Sequence, residues 1–393
     1  MGKKMLNTWK RIGVVILILS MLMLLVSCGE KQNDVIKVGL TTMLTGPSAK
    51  AGENNVNAVK LVIDKVNAEG GINGKQVELT VYDDEESPET AVKVITRLVD
   101  KDNVVAILGS NLSSNALAAV DITERAGVLH LVGGTSPLLT NQGYQNFYRC
   151  TGPSAVVDPT WIDMMCTDMQ VKKVALMIIE NEYGQSGHTI ITENLKNYPD
   201  VEIVADETFL PTDVDFTAQI SNIIDKNPDG VVLYSITNNA CMVLKQLRRM
   251  GYKGHVYGDV SILQPDILNI IGDDANGIIA AAAYVVPDSP EHATSEVQKQ
   301  MLSDYVEKYG EMPLYDTAFR FYDAASLLVE ALKNCDNPTD RNSVANAFKE
   351  IKGYEGIGGI FDYTSGNGEG LTAAGKFMIK DGSIQAFDAN NAD

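Results

Sequence analysis

Two short stretches carry the residue types that hold an anion. The first is Gly109-Ser110-Asn111-Leu112-Ser113-Ser114 and the second is Gly133-Gly134-Thr135-Ser136-Pro137. Each follows a short apolar run, residues 104–108 and 128–132, that reads as a strand buried on both faces. Between them, residues 116–126 have a helix pattern with Leu117, Val120 and Ile122 on one side. In an open parallel sheet, ligands sit outside the carboxyl ends of the strands. Ser113 or Ser114 is placed to cap the helix that follows. The free N–H groups of that first turn favour an anion by roughly 0.3–2 kcal/mol. The strand–helix–strand unit is therefore a seat for a small carboxylate or phosphate. On these residues alone, a plain helix cap is the alternative.

Catalytic constellations are missing from the sequence. Gly184-Gln185-Ser186-Gly187 falls short of the nucleophile elbow. There is no P-loop, no H-E-x-x-H and no paired-cysteine metal motif. His130, His188, His255 and His292 have no ligand spacing and read as structural or exposed, so neither a metal nor a cofactor is expected. The acidic run Asp83-Asp84-Glu85-Glu86 reads as a solvated turn ahead of a helix. Cys150, Cys166, Cys241 and Cys335 match no metal spacing, and their pairing stays open. The chain reads as a binder and not as an enzyme.

The surrounding pattern supplies the elements that position these loops. A first strand at residues 35–40 is followed by a loop with Leu44-Thr45-Gly46-Pro47. Val56, Val59, Ile63 and Val66 then mark one face of a helix over residues 53–68, closed by Gly70-Gly71. A second strand covers residues 77–82, and Ser87-Pro88 opens the next helix as N-cap and first residue. Parallel strands joined by helices give a doubly wound α/β lobe. Residues 148–157, with Gly152-Pro153 and Asp158-Pro159 close by, break the rhythm and read as a crossing between lobes. The alternation then restarts, with strands at 174–179, 201–207, 230–235 and 255–258 and helices at 188–197, 215–226 and 240–250. Residues 277–286 read as a strand that can cross back, 295–309 and 316–333 as amphipathic helices, and 353–375 as irregular. A final hairpin turns at Lys380-Asp381-Gly382. The expected fold is two doubly wound parallel-sheet lobes joined by hinge crossings, with a ligand cleft between them. Residues 35–153 and 286–372 form lobe 1; residues 154–285 and 373–393 form lobe 2.

The chain has 393 residues, 45% hydrophobic and 21% charged, enough for two lobes. Its net charge of −19 argues against a nucleic-acid partner. Lys3, Lys4, Lys10 and Arg11 precede an apolar run at residues 12–26 that ends in Leu25-Val26-Ser27-Cys28. This resembles a bacterial lipobox, in which the cysteine is acylated after the leader is removed. Residues 1–27 then form a lipoprotein signal peptide, and residues 28–34 a tether anchored by lipid at Cys28. An ordinary secretory signal or an anchor helix is the alternative. Loss of the four leader bases would take the net charge from −19 to −23. The expected location is the outer face of the cytoplasmic membrane.

The order of features resembles the type I periplasmic binding proteins, and among them the leucine/isoleucine/valine-binding group that serves ABC importers. The markers are Ile36-Lys37-Val38-Gly39, Leu44-Thr45-Gly46-Pro47, Asn67 with Gly70-Gly71-Ile72, Tyr82-Asp83-Asp84, and Ser113-Ser114. Gly134-Thr135-Ser136-Pro137, Tyr183-Gly184 with Gly187, Asp215-Phe216 and Tyr322-Asp323-Ala324 continue the series over nearly the whole chain after the leader. The resemblance implies that Ser113 holds the carboxylate of an amino acid and that Thr135 helps hold both of its ends. It implies that the Gly133 carbonyl and Asp259, or a neighbour of Asp259, take the ammonium, and that Tyr183 covers the side chain. Asn111 and Leu112 would border the pocket. Ala51 and Ile236 stand where the group often carries aromatics, so the side-chain pocket departs from the leucine pattern. The implied protein is a monomer that passes a branched-chain or similar amino acid to a membrane permease. A sensor for a signalling receptor, or a binder of an aromatic acid or amide, are the alternatives.

Overall fold

Seven residues with a single solvent-facing side chain, Lys37, make the strand around which the first lobe is built. A strand buried on both faces belongs inside a parallel sheet covered by helices. In the computed structural model, which describes residues 35–392, this is β1 (Ile36–Thr42). The leader, the tether and Cys28 lie outside the described residues. From β1 the chain runs through α1 (Ala49–Ala68), β2 (Val77–Asp83), α2 (Pro88–Arg97), β3 (Ala106–Leu108), α3 (Ser113–Ala126), β4 (Leu129–Val132) and β5 (Phe147–Arg149). The five strands pair in parallel in the order β2-β1-β3-β4-β5.

The second lobe follows with α4 (Ser154–Asp163), β6 (Lys173–Ile179), α5 (Glu182–Leu195), β7 (Glu202–Phe209), α6 (Thr217–Asp225) and β8 (Gly230–Tyr234). It continues with α7 (Thr237–Arg249), β9 (His255–Gly258), α8 (Pro265–Ile271) and β10 (Ile278–Ala282). The chain then returns to the first lobe. There α9 (Glu296–Tyr309), α10 (Thr317–Asn334) and α11 (Arg341–Lys349) place Leu302, Phe319 and Phe348 in one core with Val38 and Leu40. A small hairpin, β11 (Lys352–Gly356) and β12 (Gly359–Asp362), precedes a last crossing. The terminal hairpin β13 (Gly375–Lys380) and β14 (Ser383–Ala386) completes a seven-stranded sheet ordered β14-β13-β10-β9-β8-β6-β7. Strands β6 to β10 in it are parallel, and β13 runs antiparallel to β10.

The structure departs from the sequence pattern at the element ends. Residues 148–157 hold part of β5 and the start of α4 in addition to a crossing. Pro159 lies inside α4. It removes an N–H that would serve the carbonyl of Ala155, an exposed residue, so water can take its place. The stretch 353–375 is also not wholly irregular, because β11 and β12 pair within it. Helices α1, α3, α5 and α7 all begin three to six residues earlier than the apolar spacing indicates. Those extra first turns are polar or small, so they carry no apolar period, and all four point at the cleft between the lobes.

Candidate ligand-binding cleft

The carboxyl ends of β3 and β4 deliver the two predicted loops to one wall of a cavity of about 260 Å³ between the lobes. Ser113 does not cap α3. Leu112 occupies the cap position with extended backbone, and Ser113 is the first helical residue. The Ser113 side chain is 4% exposed, and its Oγ accepts from the Ser136 backbone N–H at 3.3 Å. That leaves the hydroxyl proton for another acceptor. The N–H groups of the first turn of α3 have no partners within the helix. A carboxylate at this point would meet both.

Thr135 lies beside it, in a loop fixed from behind. The fully buried Arg149 donates through Nη1 to the Gly134 carbonyl and through Nη2 to the Ser136 carbonyl at 2.7 Å. Its Nε donates to Glu369 at 2.8 Å. The Thr135 carbonyl accepts from the Ser154 N–H at 3.0 Å. With three successive carbonyls held, the Thr135 side chain is aimed at the cavity it lines.

The facing wall comes from the second lobe. Asp259 follows β9 and is 5% exposed. Its Oδ2 accepts from the Tyr183 hydroxyl at 2.5 Å and its Oδ1 from the Ser261 N–H at 3.0 Å. A carboxylate has about four acceptor positions, so Asp259 keeps capacity for a ligand cation. Burial holds the Tyr183 hydroxyl well above its usual range, so it remains a donor. The Tyr183 ring stacks on Tyr234 with centroids 4.4 Å apart. This closeness depends on Gly187, where a Cβ would stand 2.2 Å from the Tyr234 ring. Behind them the Tyr234 hydroxyl donates to Asp158 at 3.0 Å. Burial, with Asp259 nearby, drives the Asp158 carboxyl well above the usual carboxylate range.

Eight of the nine residues singled out in the sequence line this one cavity: Ala51, Asn111, Leu112, Ser113, Thr135, Tyr183, Ile236 and Asp259. Gly133 does not. Its carbonyl accepts from Arg320 Nη1 at 3.0 Å, which takes one of its two lone pairs. Arg320 itself lines the cavity, and the sequence reading missed it. Its Nε and Nη2 hold Asp316 Oδ2 at 2.7 and 2.5 Å. Burial opposes the charge on Arg320, and Asp316 more than compensates, so the guanidinium stays charged. The available signal was an arginine between Phe319 and Phe321, four residues after an aspartate.

The acidic turn also needs correction. Asp84 is buried, and burial raises its carboxyl. Glu86 lines the cavity and has a buried Oε1 without a hydrogen-bond partner. Asn111 Oδ1, Ser261 Oγ and Thr317 Oγ1 around the same cavity are likewise unpartnered.

No residue of the wall is arranged as an activated nucleophile. The four cysteines among the described residues are free and buried, and burial pushes the thiols of Cys150, Cys166 and Cys241 up to about 12. A thiol held that high is not a nucleophile at neutral pH. Among the described residues, no group of three or more His, Cys, Asp or Glu is placed to hold a metal ion. Two sheets with a cavity between them, and a polar seat of each sign on opposite walls, fit reversible capture of a small molecule.

A family model described as periplasmic binding protein matches residues 35–382. The chain belongs to that family. As a periplasmic binding protein it is a non-enzymatic solute binder that works outside the cytoplasm. It is 25% identical to the Leu/Ile/Val-binding protein of Citrobacter freundii, over 84% of this chain and 90% of the relative. The fold matches the branched-chain amino acid transporter substrate binding protein LivJ from Streptococcus pneumoniae, solved with isoleucine. That match has a TM-score of 0.80 and 25% identity, over 90% of this chain and 98% of the other. An R. palustris ABC transporter solute binding protein, solved with benzoate, shares the fold with a TM-score of 0.79 at 19% identity, over 90% of this chain and 95% of the other.

Proposed function

We propose that this chain captures an amino acid as a zwitterion in the cleft and delivers it to the membrane permease of an ABC importer. The observation that carries the reading is the pairing of opposite seats across one cavity. Ser113, Thr135 and the α3 N-terminus face the carboxylate, and Asp259, held by Tyr183, faces the ammonium. Asn111, Leu112, Ala51 and Ile236 border the rest of the ligand. Branched-chain amino acids, which the relatives' names carry, are the first ligands to test.

Hydrogen bonds across the cleft support closure on the ligand. Ser136 meets Ser186 at 2.9 Å, and Gln264 donates to Asp316 at 2.9 Å. The moving bodies are residues 35–153 with 286–372 and residues 154–285 with 373–393. The chain acts as a monomer, tethered by lipid at Cys28 on the outer face of the cytoplasmic membrane.

A micromolar capture affinity corresponds to about −8 kcal/mol. A ligand of roughly nine heavy atoms stays within the ceiling of about −1.5 kcal/mol per atom when it is enclosed. The test is thermal unfolding of the full chain, stripped of ligand by refolding, against the common amino acids and their α-keto analogues. An amino acid at 100 times its dissociation constant adds about 2.7 kcal/mol to the folded state. Stabilisation by amino acids and not by keto acids supports the reading; stabilisation by keto acids alone rejects the ammonium site.

A further inference from the structure

Four atoms of the cavity wall are buried without a hydrogen-bond partner: Glu86 Oε1, Asn111 Oδ1, Ser261 Oγ and Thr317 Oγ1. Ser261 is 8% exposed and Thr317 9% exposed, so both hydroxyls are more than nine-tenths buried. Buried polar atoms are normally paired. An amino acid head group is met by Ser113, Thr135 and Asp259, and none of these four is among them. A branched aliphatic side chain would offer them no partner.

Two of the four, the Glu86 carboxylate oxygen and the Asn111 amide oxygen, are acceptors. The occupant must therefore bring donors. Charge points the same way. The wall holds three carboxylates, Glu86, Asp259 and Asp316, against one guanidinium, Arg320. Asp316 is paired with Arg320. Asp259 faces the ammonium of the ligand, which leaves Glu86 as the carboxylate still to be answered.

Strand order fixes where Glu86 stands. Thr135 follows β4, Asn111 and Ser113 follow β3, Met43 and Ala51 follow β1, and Glu86 follows β2, in the sheet order β2-β1-β3-β4. Neighbouring strands lie about 4.8 Å apart, so β2 and β4 are separated by roughly 14 Å. A ligand whose head sits over β3 and β4 extends its side chain past Met43 and Ala51 toward Glu86. Alanine at position 51 and isoleucine at 236 put no aromatic ring at those two positions; the rings lining the cavity are those of Tyr183 and Tyr315.

We infer that the ligand is an amino acid whose extended side chain ends in a cationic nitrogen, an ammonium or guanidinium, received by Glu86. Glu86 is then the residue that sets specificity, and a charge-assisted hydrogen bond in the closed cleft is its means. This rests on the amino-acid reading of the same cavity.

The test is calorimetric titration of the ligand-stripped full chain with L-lysine, L-arginine, L-glutamine and L-leucine, repeated with Glu86→Gln. The expected result is lysine or arginine binding at least tenfold tighter than leucine and glutamine. In Glu86→Gln, with an unchanged unfolding midpoint, the ratio of basic to leucine affinity falls at least tenfold. A second variant, Ala51→Leu, narrows the path and is expected to weaken the basic ligand at least tenfold. Leucine binding as tightly as lysine and arginine, or an unchanged ratio in Glu86→Gln, overturns the inference and leaves the amino-acid reading standing. Binding of no amino acid at all overturns both.

Discussion

Asp259 is the side chain on which the ligand chemistry turns. It is buried, receives two donors from its own lobe, and keeps free acceptor capacity toward the cavity. Replacing one partner of a buried charge pair costs about 2–5 kcal/mol. Asp259→Asn is thus expected to weaken amino-acid binding about 100-fold or more in a calorimetric titration, with the unfolding midpoint little changed. His130 offers a separate check on the structure beneath the seat. Its Nε2–H donates to the Gly109 carbonyl, and burial lowers its pKa from 6.5 to about 4. A histidine depressed in this way stabilises the fold above pH 6.5, and that contribution is lost as the pH falls toward 4. At about 1.4 kcal/mol per pH unit, the loss is about 3 kcal/mol. In denaturant unfolding, the stability difference between the wild-type chain and His130→Gln is expected to shrink by about that amount from pH 7 to pH 4. The hydroxyl, acidic and aromatic residues of the cleft were legible in the sequence because loop chemistry and order announce them. Arg320 and Glu86 were not. One hides in an otherwise apolar helix and the other in an acidic run, and only the folded chain turns them toward the cavity.

The element that matters most is the loop from Gly133 to Thr140. Its glycines and hydroxyls were visible as a turn after a buried strand, but the source of its rigidity was not. Arg149 sits on a short strand that the sequence pattern merged into a crossing, and it serves two carbonyls of the loop together with Glu369. Its replacement by methionine leaves buried acceptors and a carboxylate without their donor. Breaking a buried pair in this way costs about 3–5 kcal/mol. Arg149→Met is expected to lower the unfolding free energy by that order and to speed amide exchange across residues 134–140 more than across β1. Helix starts failed for a related reason. The first turns of α1, α3, α5 and α7 face the cleft, so they are polar or small, and apolar spacing sees a helix only where it meets a core.

At the scale of the molecule, the alternation of strands and helices foretold two parallel-sheet lobes, because a buried parallel strand has a continuous apolar run. The contacts that join the lobes across the cleft were invisible. Gln264 and Asp316 are far apart in sequence, as are Ser136 and Ser186, and each pair forms one side-chain bridge. Gln264 does not line the cavity but gives and receives hydrogen bonds with Asp316. If closure and binding are linked, weakening such a bridge lowers affinity without touching the ligand. Gln264→Ala removes a net contribution of about 1 kcal/mol and is expected to weaken binding roughly fivefold. Small-angle scattering should show a larger radius at partial saturation. Equal affinity and equal scattering for the two proteins would separate the bridge from closure.

The most direct measurement is a calorimetric titration of the full-length, ligand-stripped chain with each amino acid and with its α-keto analogue. The two ligands keep the carboxylate and the side chain and differ only at the ammonium. A one-to-one complex with an amino acid, bound at least 100-fold tighter than its keto analogue, is the expected result, with that preference lost in Asp259→Asn. Equal affinity for the two ligands, or binding by the keto acid alone, would contradict a cleft built around a zwitterion.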